Sequence, residues 1–130
     1  MNWDDLIKAE IAATNNNLSE WTGEFGGTPV TIYAKPLCPA DHDAIAKQGY
    51  RDFFMNPTMG GMVAMIMRKA QDENGNRIFP KPNVHGPLLH RVGQTKIAEI
   101  FTALFGADIE AEDDEAFEAR VGNSAPTKNG

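Results

Sequence analysis

Cysteine is nearly absent from this 130-residue sequence, which contains only Cys38. A single thiol cannot form an internal disulfide, and it is typical of a protein in a reducing compartment. No apolar run approaches the roughly 20 residues that cross a bilayer, since the stretch Met59–Met67 stops at Arg68. The first residues have neither the basic nor the apolar region of a secretory leader. These absences predict a cytoplasmic protein with no membrane partner.

A basic excess is also absent, which bears on the kind of partner. The net charge is −6, and residues 108–130 contain seven acidic and two basic side chains, whereas residues 1–107 are close to neutral. Binding to a phosphate backbone requires lysine and arginine to displace counterions, so we expect no nucleic-acid partner. Length and charge together predict one domain over residues 1–107, followed by an acidic and partly flexible tail over residues 108–130.

The central segment of the chain is predicted to be an amphipathic helix that begins after an N-cap at Thr58. Apolar residues recur at a spacing of three or four from Met59 to Ala70, and two cations, Arg68 and Lys69, lie where a helix would end. A turn at Asp72–Gly75 and a short extended segment are expected to follow. Similar helical patterns begin near Asp4, at Pro39 and at Gln94.

One segment has the pattern of a β-strand. Residues Val30–Ala34 alternate and are rich in β-branched side chains, and we expect them to pair with Arg77–Phe79. Residues 80–93 are expected to be a proline-rich loop with a short turn at Pro87–His90. The predicted fold class is therefore mainly α, a small helical domain with a minor two-stranded β element.

Catalytic and metal-binding patterns are weak. Cys38 and His42 are four residues apart, the spacing that a thiolate–imidazole pair or half of a zinc site on a helix would use. Without a second cysteine, a structural Cys38 is the favoured interpretation. The Asp72–Asn76 stretch differs from a calcium loop, because its glycine comes fourth instead of sixth and Asn83 stands at position twelve. We expect no catalytic residue, no metal site and no cofactor.

Five methionines fall within residues 55–67. Their flexible thioethers suit adaptable binding surfaces as well as cores. Core packing is favoured for Met59 and Met62, whereas Met65 and Met67 lie partly off that helix face and are better candidates for a surface. The last predicted helix adds an apolar stripe. The predicted partner-binding or self-association residues are Met59, Met62, Met65, Met67, Phe101 and Phe105.

The order of these features resembles the tail assembly chaperones of long-tailed phages, the class that includes the lambda G protein. In that family a V-x-V-x-x-L-x strand precedes a helix, and a D-x-x-G-x-x-x-F turn follows the central helix. The resemblance covers roughly residues 28–106, and no family motif is matched in the first thirty residues. The matching residues in this chain are Val30, Ile32, Tyr33, Pro36, Leu37, Asp72, Gly75 and Phe79.

The resemblance implies a mainly helical, non-enzymatic viral protein of the host cytoplasm that is absent from the finished virion. Such chaperones are thought to coat the tape measure protein while tail-tube protein is recruited, and many also exist as a longer form made by ribosomal frameshifting. The implied partners are the tape measure protein, the tail-tube protein and the frameshift-extended form. The surplus of apolar stripes further predicts a homo-oligomer, in the form of an open helical assembly.

Two other functions stay open. The first is a structural tail-completion or head–tail joining component, which would remain in the mature particle. The second is a small enzyme that uses Cys38 and His42.

Overall fold

A computed structural model describes residues 2–106 of the chain, so the predicted acidic tail at 108–130 lies outside the described residues. The described part is mainly α, with one two-stranded antiparallel sheet, and this confirms the predicted class. The elements are α1 (Trp3–Asn15), β1 (Ser19–Phe25), β2 (Thr28–Ala34), α2 (Pro39–Lys47), α3 (Met59–Lys69), α4 (Pro82–Leu89) and α5 (94–106).

The two strands form a hairpin around Gly26 and Gly27. Both glycines have positive φ angles, 59° and 82°, which fit a two-residue turn whose twist matches that of the strands. The register pairs Trp21 with Ile32. The predicted strand Val30–Ala34 lies within β2, but its predicted partner was wrong. The segment before the glycines is itself a strand, and it pairs with β2.

The segment predicted to pair with β2 makes a smaller contribution. Gln71 exchanges two backbone hydrogen bonds with Tyr33, at 2.9 and 2.8 Å, and also forms an isolated bridge with Arg77. In backbone pairing, Gln71 therefore lies between Arg77 and the sheet. The chain reversal between Gln71 and Arg77 is the predicted turn, in which Gly75 has a φ of 88°.

Helix boundaries follow local chemistry in most places. Thr58 accepts a hydrogen bond from the Gly61 N–H at 3.1 Å and caps α3, as predicted. The prediction was wrong for α4, which was expected to be a loop. Pro82 lies in the first turn, where its missing N–H costs nothing, and Pro87 removes a single donor from an eight-residue helix.

The core lies between α3, α5 and the inner face of the hairpin. Helix α3 is buried around most of its circumference, because α2 and α4 both pack on it. Phe53 and Phe101 meet edge to face at 5.5 Å between ring centroids, and Phe101 lies 5.3 Å from Phe105. The largest fully buried side chains are Phe105, Ile45, Met65, Ile66, Ile97, Ile100 and Leu104.

Candidate protein-interaction site

Helix α1 exposes an apolar face. The Asn2 side chain caps the helix by accepting a hydrogen bond from the Asp4 N–H at 2.8 Å, yet none of its residues is buried. Trp3 is 67% exposed, and Ile7 and Ile11 are each 54% exposed. These side chains recur at helical spacing and share one face. The predicted first helix is thus confirmed, but the described body does not cover the apolar face of α1.

A carboxylate lies within this apolar face. Glu10 comes one turn after Leu6 and two turns after Trp3, so all three point to the same side of α1. The hydroxyl of Thr14 donates to the Glu10 carboxylate at 3.5 Å. Within residues 2–106 neither of the two ion pairs involves Glu10. Any surface that covers this face must therefore also accommodate a negative charge.

An apolar groove lies on the hairpin. Phe25, Val30 and Ile32 line it from the sheet, and Ile78 and Phe79 line it from the segment that follows α3. The groove has a volume of about 320 Å³. Ile32 is fully packed, whereas the other four side chains are only partly buried. We call this site, defined by these five residues, the hairpin groove.

Lys96 places a cation next to Phe25, one of the residues that line the hairpin groove. Its ammonium lies 5.5 Å from the ring centroid of Phe25 and 5.6 Å from that of Trp21, within the range of cation–π attraction. The same ammonium donates a hydrogen bond to the backbone carbonyl of Glu24. In the described part of the chain no carboxylate forms an ion pair with Lys96. The apolar groove therefore adjoins a cation that forms no ion pair, and the Glu99 carboxylate lies nearby, where it accepts a hydrogen bond from Trp21 Nε1 at 3.4 Å.

The six residues predicted from the sequence do not form one surface. Met65 and Phe105 are completely buried and Phe101 is 5% exposed, so the expectation that these three contribute to a binding surface is corrected. They belong to the core because α3 and α5 both pack in the middle of the body. Met62 and Met67 are partly buried.

Met59 is more exposed than the sequence suggested. It is 37% exposed at the start of α3, and Met55, four residues earlier, is 76% exposed. Core packing was favoured for Met59, but the first turn of α3 extends past the helices that cover its middle. We call Met55, Met59 and Met62 the methionine patch.

Cys38 and His42 line one shallow pocket but interact with different groups. The Cys38 thiol donates to Asp41 Oδ2 at 3.3 Å, and its backbone N–H donates to the same oxygen at 2.9 Å. His42 instead stacks on Phe54, with 3.9 Å between ring centroids. This arrangement is typical of a helix start, with Cys38 at the N-cap of α2.

Asp41 is a buried charge that joins α2 to α3. Its carboxylate accepts from Arg68 at 2.8 Å and from Lys69 at 2.9 Å, and its side chain is 4% exposed. Burial by itself raises the pKa of Asp41, but the hydrogen bonds from Lys69, Arg68 and the Cys38 N–H outweigh it and lower the pKa below its usual range. The carboxylate is therefore ionised at neutral pH and holds two helices together.

The Asp72 turn satisfies its own carboxylate. Asp72 Oδ1 accepts from the backbone N–H groups of Asn74 and Asn76 at 2.8 and 2.9 Å, and these bonds lower the pKa of Asp72. Among the residues that the structure describes, no group of three or more histidine, cysteine, aspartate or glutamate side chains is arranged to hold a metal ion. The turn therefore serves the chain reversal.

Sequence reasoning missed two of the residues at the hairpin groove. Phe25 was not placed on a strand, and Lys96 was not among the candidate residues. A Gly26–Gly27 pair between two short alternating segments is a hairpin signal that would have placed Phe25 on a strand. Nothing local in the sequence indicates that Lys96 lies over that ring.

No protein-family model, curated protein or solved structure matches the chain. No helix within the described residues is long and apolar enough to span a membrane. Any functional assignment therefore depends on the surfaces above and on the motifs of the sequence.

Proposed function

We propose that this protein is a tail assembly chaperone of long-tailed phages, which binds the tape measure protein and associates with copies of itself without performing catalysis. The observation that carries the proposal is that the described residues expose groups of large apolar side chains outside the core. Among them are the face of α1 and, in the methionine patch, Met55 and Met59. A small monomeric domain normally leaves such side chains scattered, and a cluster of them marks an interaction site.

The methionine patch suits a long helical client. Met59 and Met62 are three residues apart on α3, so they are neighbours on its surface. Methionine side chains adapt to different apolar partners, which matches a client that presents many similar helical segments. We assign the tape measure protein to this patch. Of the motif residues that carry the family resemblance, Asp72 and Gly75 lie in the turn that follows α3, and Phe79 comes three residues after that turn.

Co-expression tests the client-binding role. The chain is produced together with the longest open reading frame downstream of its gene, and the soluble yield and co-purification of that long product are measured. We expect the wild type to keep it soluble and to co-purify with it. Met55→Glu/Met59→Glu should lose both effects, whereas Ala103→Glu, on an exposed position of α5, should retain them.

A different result would favour the structural alternative. If the long product stays insoluble with the wild type, and this chain is present at fixed copy number in purified particles, the protein is a tail-completion or head–tail joining component. A chaperone should be missing from those particles.

A further inference from the structure

Helix α1 requires a partner surface. It has 13 residues and buries none of them, and isolated helices shorter than roughly 12–15 residues are marginal in water. Helices of this length are normally held by packing of the apolar face. Trp3, Leu6, Ile7 and Ile11 provide such a face, and each is more than 40% exposed. We therefore expect a surface that α1 does not contact in the described structure to cover its apolar face.

The hairpin groove has matching shape and chemistry. An amphipathic helix binds a groove by inserting large apolar side chains at successive turns. The groove is apolar on the sheet side, from Phe25 and Val30, and on the opposite side, from Ile78 and Phe79. Its volume of about 320 Å³ provides space for large side chains such as Trp3.

The two surfaces offer one pair of opposite charges, next to which the Glu99 carboxylate is engaged by the Trp21 indole N–H at 3.4 Å. Glu10 lies within the apolar face of α1, and Lys96 lies over a ring of the groove, and neither forms an ion pair within residues 2–106. Helix α1 has three acidic residues and one basic residue, so it is negative overall. Glu24 neighbours Phe25 along β1, but alternation along the strand directs its side chain to the other face of the sheet. Docking would bury both charged groups and give each a partner.

We propose that α1 of one copy lies in the hairpin groove of a second copy, where Glu10 pairs with Lys96 of the partner subunit. The helix face and the groove are different surfaces, so the contact is heterologous and each copy offers both halves of it. This inference rests on the self-association in the proposed function, and it specifies the surface and the partner.

A charge exchange tests the contact by sedimentation velocity. Wild type should associate, and Glu10→Lys and Lys96→Glu should each weaken association by at least about tenfold, because each places like charges together. An equimolar mixture of the two variants should associate again. In that mixture, Lys at position 10 of the first variant can pair with Glu at position 96 of the second. Glu10 of the second variant can pair with Lys96 of the first.

The mixture separates the alternatives. Docking of α1 into the groove of its own chain would leave the wild type monomeric, and mixing would restore nothing; either result overturns the proposal. Lys96 is partly buried, so the folding of each variant is checked by far-UV circular dichroism. If Lys96→Glu does not fold, Trp3→Ser provides the second test. It should weaken association, whereas Ala12→Ser on the opposite side of α1 should not.

Client binding is measured on the same variants by co-expression. If the mixture fails to associate but the long product stays soluble, the α1–groove contact is wrong and the chaperone function stands. If the charge exchange behaves as expected and the long product is not bound, the contact stands and the chaperone function is wrong.

Discussion

Helices α1 and α5 have the same kind of amphipathic sequence, but only α5 buries its apolar side chains. Ile97, Ile100 and Leu104 of α5 are at most 2% exposed, whereas Trp3 and Ile7 of α1 are more than half exposed. The difference shows that an apolar stripe predicts a covered helix face without identifying what covers it. In α5 the cover is the body of the same chain, and for α1 we infer that it is another molecule.

The largest expected effect lies in the body. Phe105 is completely buried and packs against Phe101, so Phe105→Ala should leave a cavity and lower the free energy of unfolding by about 3–5 kcal/mol. Urea denaturation of dilute protein measures this loss. A decrease of less than about 1 kcal/mol would mean that the body is not packed as described, and the contrast with α1 would disappear.

The second prediction concerns the charged contact within the body. Asp41→Asn should lower the free energy of unfolding at pH 7 by about 2–3 kcal/mol, because Arg68 and Lys69 lose their anionic partner. Asp43→Asn, at an exposed position of the same helix, is the control and should have little effect.

The Asp41 contribution should also depend on pH. Its pKa is lower in the folded protein than in the unfolded chain, so the ionised carboxylate stabilises the fold fully above the unfolded value, about 4. The contribution is lost as the pH falls through the lower, folded pKa. The stability difference between wild type and Asp41→Asn should therefore shrink below about pH 4. Curves that stay parallel down to pH 2 would contradict this role.

Local features of the sequence were enough to predict much of the body. The start of α2 at Pro39 and the N-cap at Thr58 were correct, because proline, acidic residues and a capping hydroxyl act within one turn of their own position. Strand β2 was also correct. Its partner was missed, because Gly23 interrupts the apolar alternation of β1.

The candidate surfaces depend on contacts that local patterns do not contain. Met65 was expected at a surface and is buried, whereas Met59 was expected in the core and is exposed. A periodic stripe identifies one buried face of a helix. Helix α3 is buried more extensively, because the preceding helix α2 and the following helix α4 both pack on it. Similarly, Lys96 and Phe25 are 71 positions apart, and only the folded chain brings them together.

The smallest expected effect lies in α1. At low micromolar concentration, Ile11→Ala should change the free energy of unfolding by less than about 0.5 kcal/mol, because the described body does not bury its side chain. Association links stability to concentration, so the wild-type denaturation midpoint should rise as the protein is concentrated. Ile11→Ala should reduce that rise, since it removes apolar contact from the associated state only. If Ile11→Ala instead destabilised the dilute protein by 2 kcal/mol or more, α1 would pack on the body of its own chain. The apolar faces of α1 and α5 would then be covered in the same way.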